Sequence, residues 1–194
     1  MQTGNYSATS TWHGGVVPPS GANVVINSGH TVTLDANAVV GTLVINAGGS
    51  FVASDSTPRQ LTVSKSTSGS SAVLTNNGSW TSGSGGSTVV FSGSPSSGDA
   101  IHAVVGTIGF QNCKVTKVSG SSNVGASFGT GSTLTGTLEI GFGGYIASAP
   151  PTAFYNSTAI LKFNQGSGAV YDVNATDNSW DTTQIPQKIG RASC

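Results

Sequence analysis

The segment Val25-Ile26-Asn27-Ser28-Gly29-His30-Thr31-Val32 returns in type, 19 residues later, as Val44-Ile45-Asn46-Ala47-Gly48-Gly49-Ser50-Phe51. A third copy, Glu139-Ile140-Gly141-Phe142-Gly143-Gly144-Tyr145-Ile146, aligns Ile140 with Ile45 at an offset of 95, five times the first. Leu74-Thr75-Asn76-Asn77-Gly78-Ser79-Trp80 is a looser copy. Each reads as strand, tight corner, strand. A self-similar unit of this size cannot bury its apolar face alone and does so by stacking on its neighbours. The pattern predicts a right-handed parallel β-solenoid with irregular coils of about 20 residues. Gly and Asn at the corner supply positive φ without strain, and the residue after the corner turns inward. Phe51, Trp80, Tyr145 and Phe91 are therefore expected to form an internal aromatic ladder.

No window carries apolar residues at helical spacing without Gly or a β-branched and Ser cluster interrupting it. Short alternating runs fill the chain instead, among them Thr31-Val32-Thr33-Leu34, Leu61-Thr62-Val63, Ser87-Thr88-Val89-Val90-Phe91 and Ile160-Leu161-Lys162-Phe163. A β-sandwich built from hairpins is the alternative fold. It is disfavoured by the repetition and by the scarcity of Asn-Gly turns, Asn77-Gly78 being the clear one and lying at a repeat corner. The Trp80 copy follows the Phe51 copy by 29 residues, so insertions loop out between coils. Residues 1–23, with Trp12-His13-Gly14-Gly15 and Pro18-Pro19, are expected to cap the first coil; residues 24–149 form the coils; residues 150–188 form aromatic-rich terminal coils; residues 189–194 are a tail.

Only 7% of residues are charged while 36% are apolar, a balance that folds rather than stays disordered. Seven basic side chains meet seven acidic ones, leaving no basic field for nucleic acid or an acidic membrane surface. No apolar stretch is long enough to insert in a bilayer. The N-terminus lacks a signal peptide, which is expected to have been removed, with Met1 an added start residue. The low charge and the abundance of Ser, Thr and Asn point to an extracellular setting. Cys113 and Cys194 show no metal spacing or disulfide framework; a single bridge between them is one option, and Cys113 packed as a small apolar residue is the other.

The run Thr11-Trp12-His13-Gly14-Gly15-Val16-Val17-Pro18, followed by Ala22-Asn23-Val24-Val25-Ile26 and Gly29-His30-Thr31-Val32-Thr33-Leu34-Asp35, is similar to the opening of G8 domains. It also resembles the repetitive β-solenoid regions of large secreted, adhesin-like proteins of the Bacteroidetes group. Leu74 to Trp80, Thr88 to Ser94, and Phe154 to Phe163 with Tyr171 and Trp180 resemble later sections of the same proteins. The likeness spans most of residues 8–188. It implies a stalk or surface module beside other domains.

Acid-base chemistry has little to draw on. The chain has three histidines, and His13 reads as part of the cap, His30 as a solvated corner residue, and His102 as a neighbour of Asp99 at a spacing that need not bring the two together. Pectate-lyase-like enzymes of this fold cluster Asp with Arg or Lys, whereas here Asp35 and Arg59 stand alone, and fold by itself does not carry function. Asp172, Asp177 and Asp181, with Asn174 and Asn178, are the densest group of oxygen ligands, without an EF-hand or RTX spacing. Serines lie in runs such as Ser66 to Ser71, which read as loops. Trp12, Trp80, Tyr155, Tyr171 and Trp180 are candidates to stack on sugar rings, with Trp80 read as internal. An ice-binding Thr row fails at once, since Ser50 and Val52 replace Thr31 and Thr33 in the next coil.

No catalytic residue, metal ligand or cofactor is assigned, and no binding residue is fixed. The expected role is a secreted or cell-surface structural or adhesive module without catalytic activity, its partners being neighbouring domains or copies of itself. A self-assembling extracellular filament subunit and a polysaccharide-binding module are the alternatives.

Overall fold

The computed structural model describes residues 2–164. Three stacks of short strands make up the fold. The first contains β1 (Gly4–Asn5), β3 (Thr31–Thr33), β5 (Ser50–Val52) and β8 (Ser79–Thr81), and a separate pair, β11 (Gly109–Phe110) and β14 (Thr133–Leu134), comes later in the chain. The second contains β2 (Ala22–Ile26), the C-terminal half of β4 (Ala38–Ile45), β7 (Gly69–Asn76), β10 (Ala100–Gly106), β13 (Val124–Ser127) and β16 (Gly144–Ile146). The third contains the N-terminal half of β4, then β6 (Arg59–Ser64), β9 (Ser87–Gly93), β12 (Asn112–Lys117), β15 (Thr137–Gly141) and β17 (Ile160–Asn164). Because β4 pairs with β6 through Ala38–Val40 and with β2 and β7 through its far end, the second and third stacks form one curled sheet of 11 strands. The chain visits the second, first and third stacks in that order, repeatedly.

Every strand pairing among the described residues is parallel. The hairpins that a β-sandwich requires are thus missing from these residues. Parallel strands need a crossover between partners, and here the other two stacks supply it.

Burial explains why these residues pair as they do. Val40, Val63, Phe91, Val115 and Ile140 occupy equivalent inward positions on successive strands of the third stack and are all almost fully buried. Val24, Leu43, Leu74 and Val104 do the same in the second. Each such side chain stabilises the fold by roughly 1.5–3 kcal/mol relative to exposure, and a one-residue slip would turn the whole row outward.

The register of the first two passes matches the 19-residue offset: Ile26 pairs with Ile45, Val32 with Phe51, and Thr31 and Thr33 with Ser50 and Val52. Gly29 and Gly48 make the same corner in both passes at φ 78°. Pass length then varies, 31 residues from Leu43 to Leu74, 23 from Leu138 to Leu161 and 20 from Val124 to Gly144, so a coil length near 20 describes some passes and not others. The difference arises chiefly between the third and second stacks. In the first pass β4 crosses that corner with only Gly41 between its two paired halves, where a Cβ would lie 2.6 Å from the carbonyl oxygen of Gly21. The next three passes spend Lys65 to Ser68, Ser94 to Asp99 and Val118 to Asn123 on it, and the last spends only Phe142 and Gly143.

Residues 2–21 lie over the first pass. The Tyr6 amide donates to the Thr33 carbonyl at 2.8 Å, and the Thr31 amide donates to Thr3 Oγ1 at 3.0 Å. Tyr6 and Trp12 close the core with an edge-on contact at 5.1 Å, and Trp12 Nε1 donates to the Tyr6 carbonyl at 2.7 Å. Gly4 and Asn5 already pair with Val32 and Thr33, and β2 starts at Ala22, so strand pairing begins earlier than residue 24.

The aromatic ladder exists with a different membership. Phe51 and Trp80 are register partners at 5.0 Å, and Phe110 continues from Trp80 at 6.4 Å. Phe128 and Phe154 extend it, 4.4 Å apart, and Phe91 meets Phe110 and Phe128 edge-on from the third stack. Tyr145 is not part of it: it pairs with Gly125 in the second stack, between the buried Gly144 and Ile146, and its ring lies where a Gly125 Cβ would be.

Candidate functional site

Three groupings concentrate the polar chemistry of the described residues. The first lies at the corner between the first and third stacks. Arg59 forms a two-pronged pair with Asp55, Nε to Oδ1 at 2.9 Å and Nη2 to Oδ2 at 2.6 Å, while the Thr57 amide donates to Asp55 Oδ1 at 2.8 Å. These bonds hold the Asp55 carboxyl below the usual carboxylate range. Asp35, from the preceding pass, accepts from the Ser7 amide at 2.9 Å and from its hydroxyl. Burial pushes Asp35 up, but the Ser7 bonds and the nearby Arg59 charge outweigh it and lower its pKa. Asp35 and Arg59 do not stand alone: Arg59 is committed to Asp55 and interacts electrostatically with Asp35. The Asp35 carboxylate ties its pass to the cap segment, and the Asp55 carboxylate braces its own corner.

The second grouping runs along the outer face of the third stack. Lys114, Glu139 and Lys162 are register partners on β12, β15 and β17, and Glu139 accepts from both ammonium groups at 2.8 and 2.9 Å and from Asn164 Nδ2 at 3.1 Å. Burial would raise the Glu139 pKa, but these donors bring it down to about 2. Opposite charges on adjacent strands support the pairing.

The third is His102, fully buried on β10, whose Nε2–H donates to the Ser92 carbonyl at 3.0 Å. Asp99 does not join it, since its Oδ1 accepts from the Asn123 amide at 2.8 Å. His13 is exposed and His30 half-buried at its corner, where its carbonyl accepts from the Ser50 amide at 2.9 Å.

The described aromatics considered for sugar stacking face inward. Trp12 is buried, Trp80 is half-buried with Nε1 donating to the Gly109 carbonyl at 3.1 Å, and Tyr155 packs on Phe154 at 5.0 Å. Tyr171, Trp180, Asp172, Asp177, Asp181, Asn174, Asn178 and Cys194 lie outside the described residues. Cys113 is buried in the core, and burial pushes its thiol pKa well above the ordinary value. Ser70 and Ser71, within one of the serine runs, belong to β7 and not to a loop.

Sequence reasoning missed one exposed aromatic, Phe142, which sits 57% exposed at the corner after β15 with the Lys117 ammonium 5.0 Å from its ring centroid. Its position between Gly141 and Gly143 was the available signal, because a large apolar residue within a glycine corner has nowhere inward to go.

The G8 domain family matches residues 11–116, from the Trp12 closure to the end of β12. The chain belongs to the G8 domain family. That segment is more than half of the 194 residues, and a G8 domain is of extracellular type. It contains the Asp55–Arg59 corner and His102, whereas the Glu139 ladder falls beyond it. No curated protein and no solved structure matches the chain.

Proposed function

We propose that this G8-containing chain is a secreted or cell-surface structural or adhesive module without catalytic activity, of the kind found in large adhesin-like bacterial proteins, and that its fold is a right-handed parallel β-solenoid. The observation that carries the reading is the continuous parallel stacking of successive passes around one apolar interior. Parallel crossovers within one sheet are right-handed in nearly all proteins, which sets the hand. Hydrogen bonds then run along the stack axis, each pass supports its neighbours, and residues 1–23 act as the terminal cap. Asp35, Asp99 and Glu139 each hold a neighbouring pass and Asp55 braces its own corner, which supports a mechanical role for the few charges.

Six strands in each of the second and third stacks, at about 4.8 Å each, rise about 29 Å. The module therefore reads as a building block whose partners are neighbouring domains or further copies. Cell fractionation of the native producer tests the setting, and a cytoplasmic location would sink it. Negative-stain microscopy with scattering at several concentrations tests the assembly. A monomeric compact block supports the module, fibres would replace it with a filament subunit, and retention on insoluble polysaccharide would replace it with a carbohydrate-binding domain.

A further inference from the structure

We infer that His102 is an acid-sensitive latch that ties down the serine-rich corner between β9 and β10. The loop from Ser94 to Asp99 leaves β9 just after Ser92 and returns into β10 just before His102. Ser92 and His102 are both buried, at 5% and 0% exposure, and the bond from Nε2–H to the Ser92 carbonyl closes the base of the loop. A carbonyl only accepts, so the bonded nitrogen carries the proton. In the neutral ring Nδ1 is then an unprotonated lone pair, and no group meets it with hydrogen-bond geometry. Phe91 stands edge-on at 5.7 Å, and Ala126 and Ser71 flank His102 on the neighbouring strands.

A second proton would place a full charge in this interior. Strands β7, β9 and β13 contribute no carboxylate to face it. The charged group that acts on the ring is Lys65, which repels a cation, while Asp99 is engaged with the Asn123 amide. Burial holds the imidazole pKa below its ordinary value, and the Ser92, Gly125 and Ala100 carbonyls only partly oppose this. Because the folded pKa is depressed, the neutral latch contributes its stability above the unfolded value of about 6.5 and loses it as pH falls below that value. Above the latch, the loop's other ties are to corners of the same kind on neighbouring passes: the Ser94 amide donates to Ser66 Oγ at 2.9 Å, Ser121 Oγ to the Ser96 carbonyl at 2.8 Å, the Ser122 amide to the Pro95 carbonyl at 3.1 Å, the Gly69 amide to the Asp99 carbonyl at 2.8 Å and the Asn123 amide to Asp99 Oδ1 at 2.8 Å. Acid therefore frees this corner ahead of the core.

Amide hydrogen exchange on the full chain, corrected for intrinsic rates, tests the latch between about pH 7.5 and about pH 5. His13→Gln and His30→Gln are included so that His102 is the histidine left to titrate. Protection of residues 93–101 is expected to fall about tenfold per pH unit below the unfolded histidine pKa, while β4 and β6 keep theirs. His102→Gln, which retains a donor for the Ser92 carbonyl and cannot titrate, is expected to flatten the response. Unchanged or increased protection in acid, or the same loss in His102→Gln, overturns the latch. Should His102→Gln not fold, the ring resonances of His102 in the parent chain decide: they must titrate together with loop opening, and a ring that stays neutral while the loop opens overturns it equally.

Discussion

Trp80 lies one pass beyond Phe51 in direct register, with ring centroids 5.0 Å apart, and its indole N–H reaches one pass further to the Gly109 carbonyl. Three consecutive passes are thus joined through two aromatic side chains. Phe51→Ala is expected to cost about 3–5 kcal/mol, the transfer and cavity cost of a fully buried Phe, read as a shift in the urea midpoint. The intrinsic fluorescence of Trp80 should move to longer wavelength in the same variant. A loss below about 1 kcal/mol would mean that the rings do not support each other.

Glu139→Gln removes the negative charge shared by Lys114 and Lys162 and leaves two cations flanking a neutral side chain. Because Lys162 is more than half exposed, the network is worth about 1 kcal/mol and not the full value its pKa suggests. Its folded pKa is depressed to about 2, so the contribution is present above the unfolded carboxyl value and is lost as pH falls toward that figure. Urea midpoints of parent and variant should differ at neutral pH and converge near pH 2.

Ala153 holds φ 66°, the one non-glycine residue at positive φ among those described, and it precedes the fully buried Phe154. Ala153→Gly should raise stability by about 1 kcal/mol. At Gly83, with φ 78°, a Cβ would run into the Ser54 carbonyl, so Gly83→Ala should lower stability by more than Ala153→Gly gains. Thermal denaturation of the two variants checks both signs.

Buried and un-ionised, Cys113 should ignore an aromatic disulfide reagent in the folded state. In a Cys194→Ser background, labelling should appear only across the urea transition. Fast labelling in buffer would place the thiol at the surface.

The first two passes were legible in residue detail because their repeat has no insertion: Ile26 on Ile45, Val32 on Phe51, and the broken Thr row at Ser50 and Val52 all come from one offset. The copy at Ile140 misled. It ends β15 and turns into the second stack, whereas Ile45 turns into the first, so the two corners share composition but not location. Apolar residue, glycines and then an aromatic describes a tight turn between any two stacks. Strand parity separates the two aromatics: Phe51 points inward between two outward neighbours, while Tyr145 sits between two buried ones. Phe110, Phe128 and Phe154 escaped notice because no repeat marks them. The Asp55–Arg59 pair escaped because an outward corner is defined by where the chain bends, not by spacing along a strand.

The unequal length of the passes has a practical side. Gly41 lets β4 cross from one stack to the next directly and the β15–β16 crossing takes only Phe142 and Gly143, while the three crossings between them bulge at that same edge and still return to register. Length varies there while the rows beneath keep their register, so the tip at Ser96 to Gly98 is a natural place to graft a foreign peptide. A display scaffold made this way would present its cargo along a single ridge, on the three storeys whose corners are long.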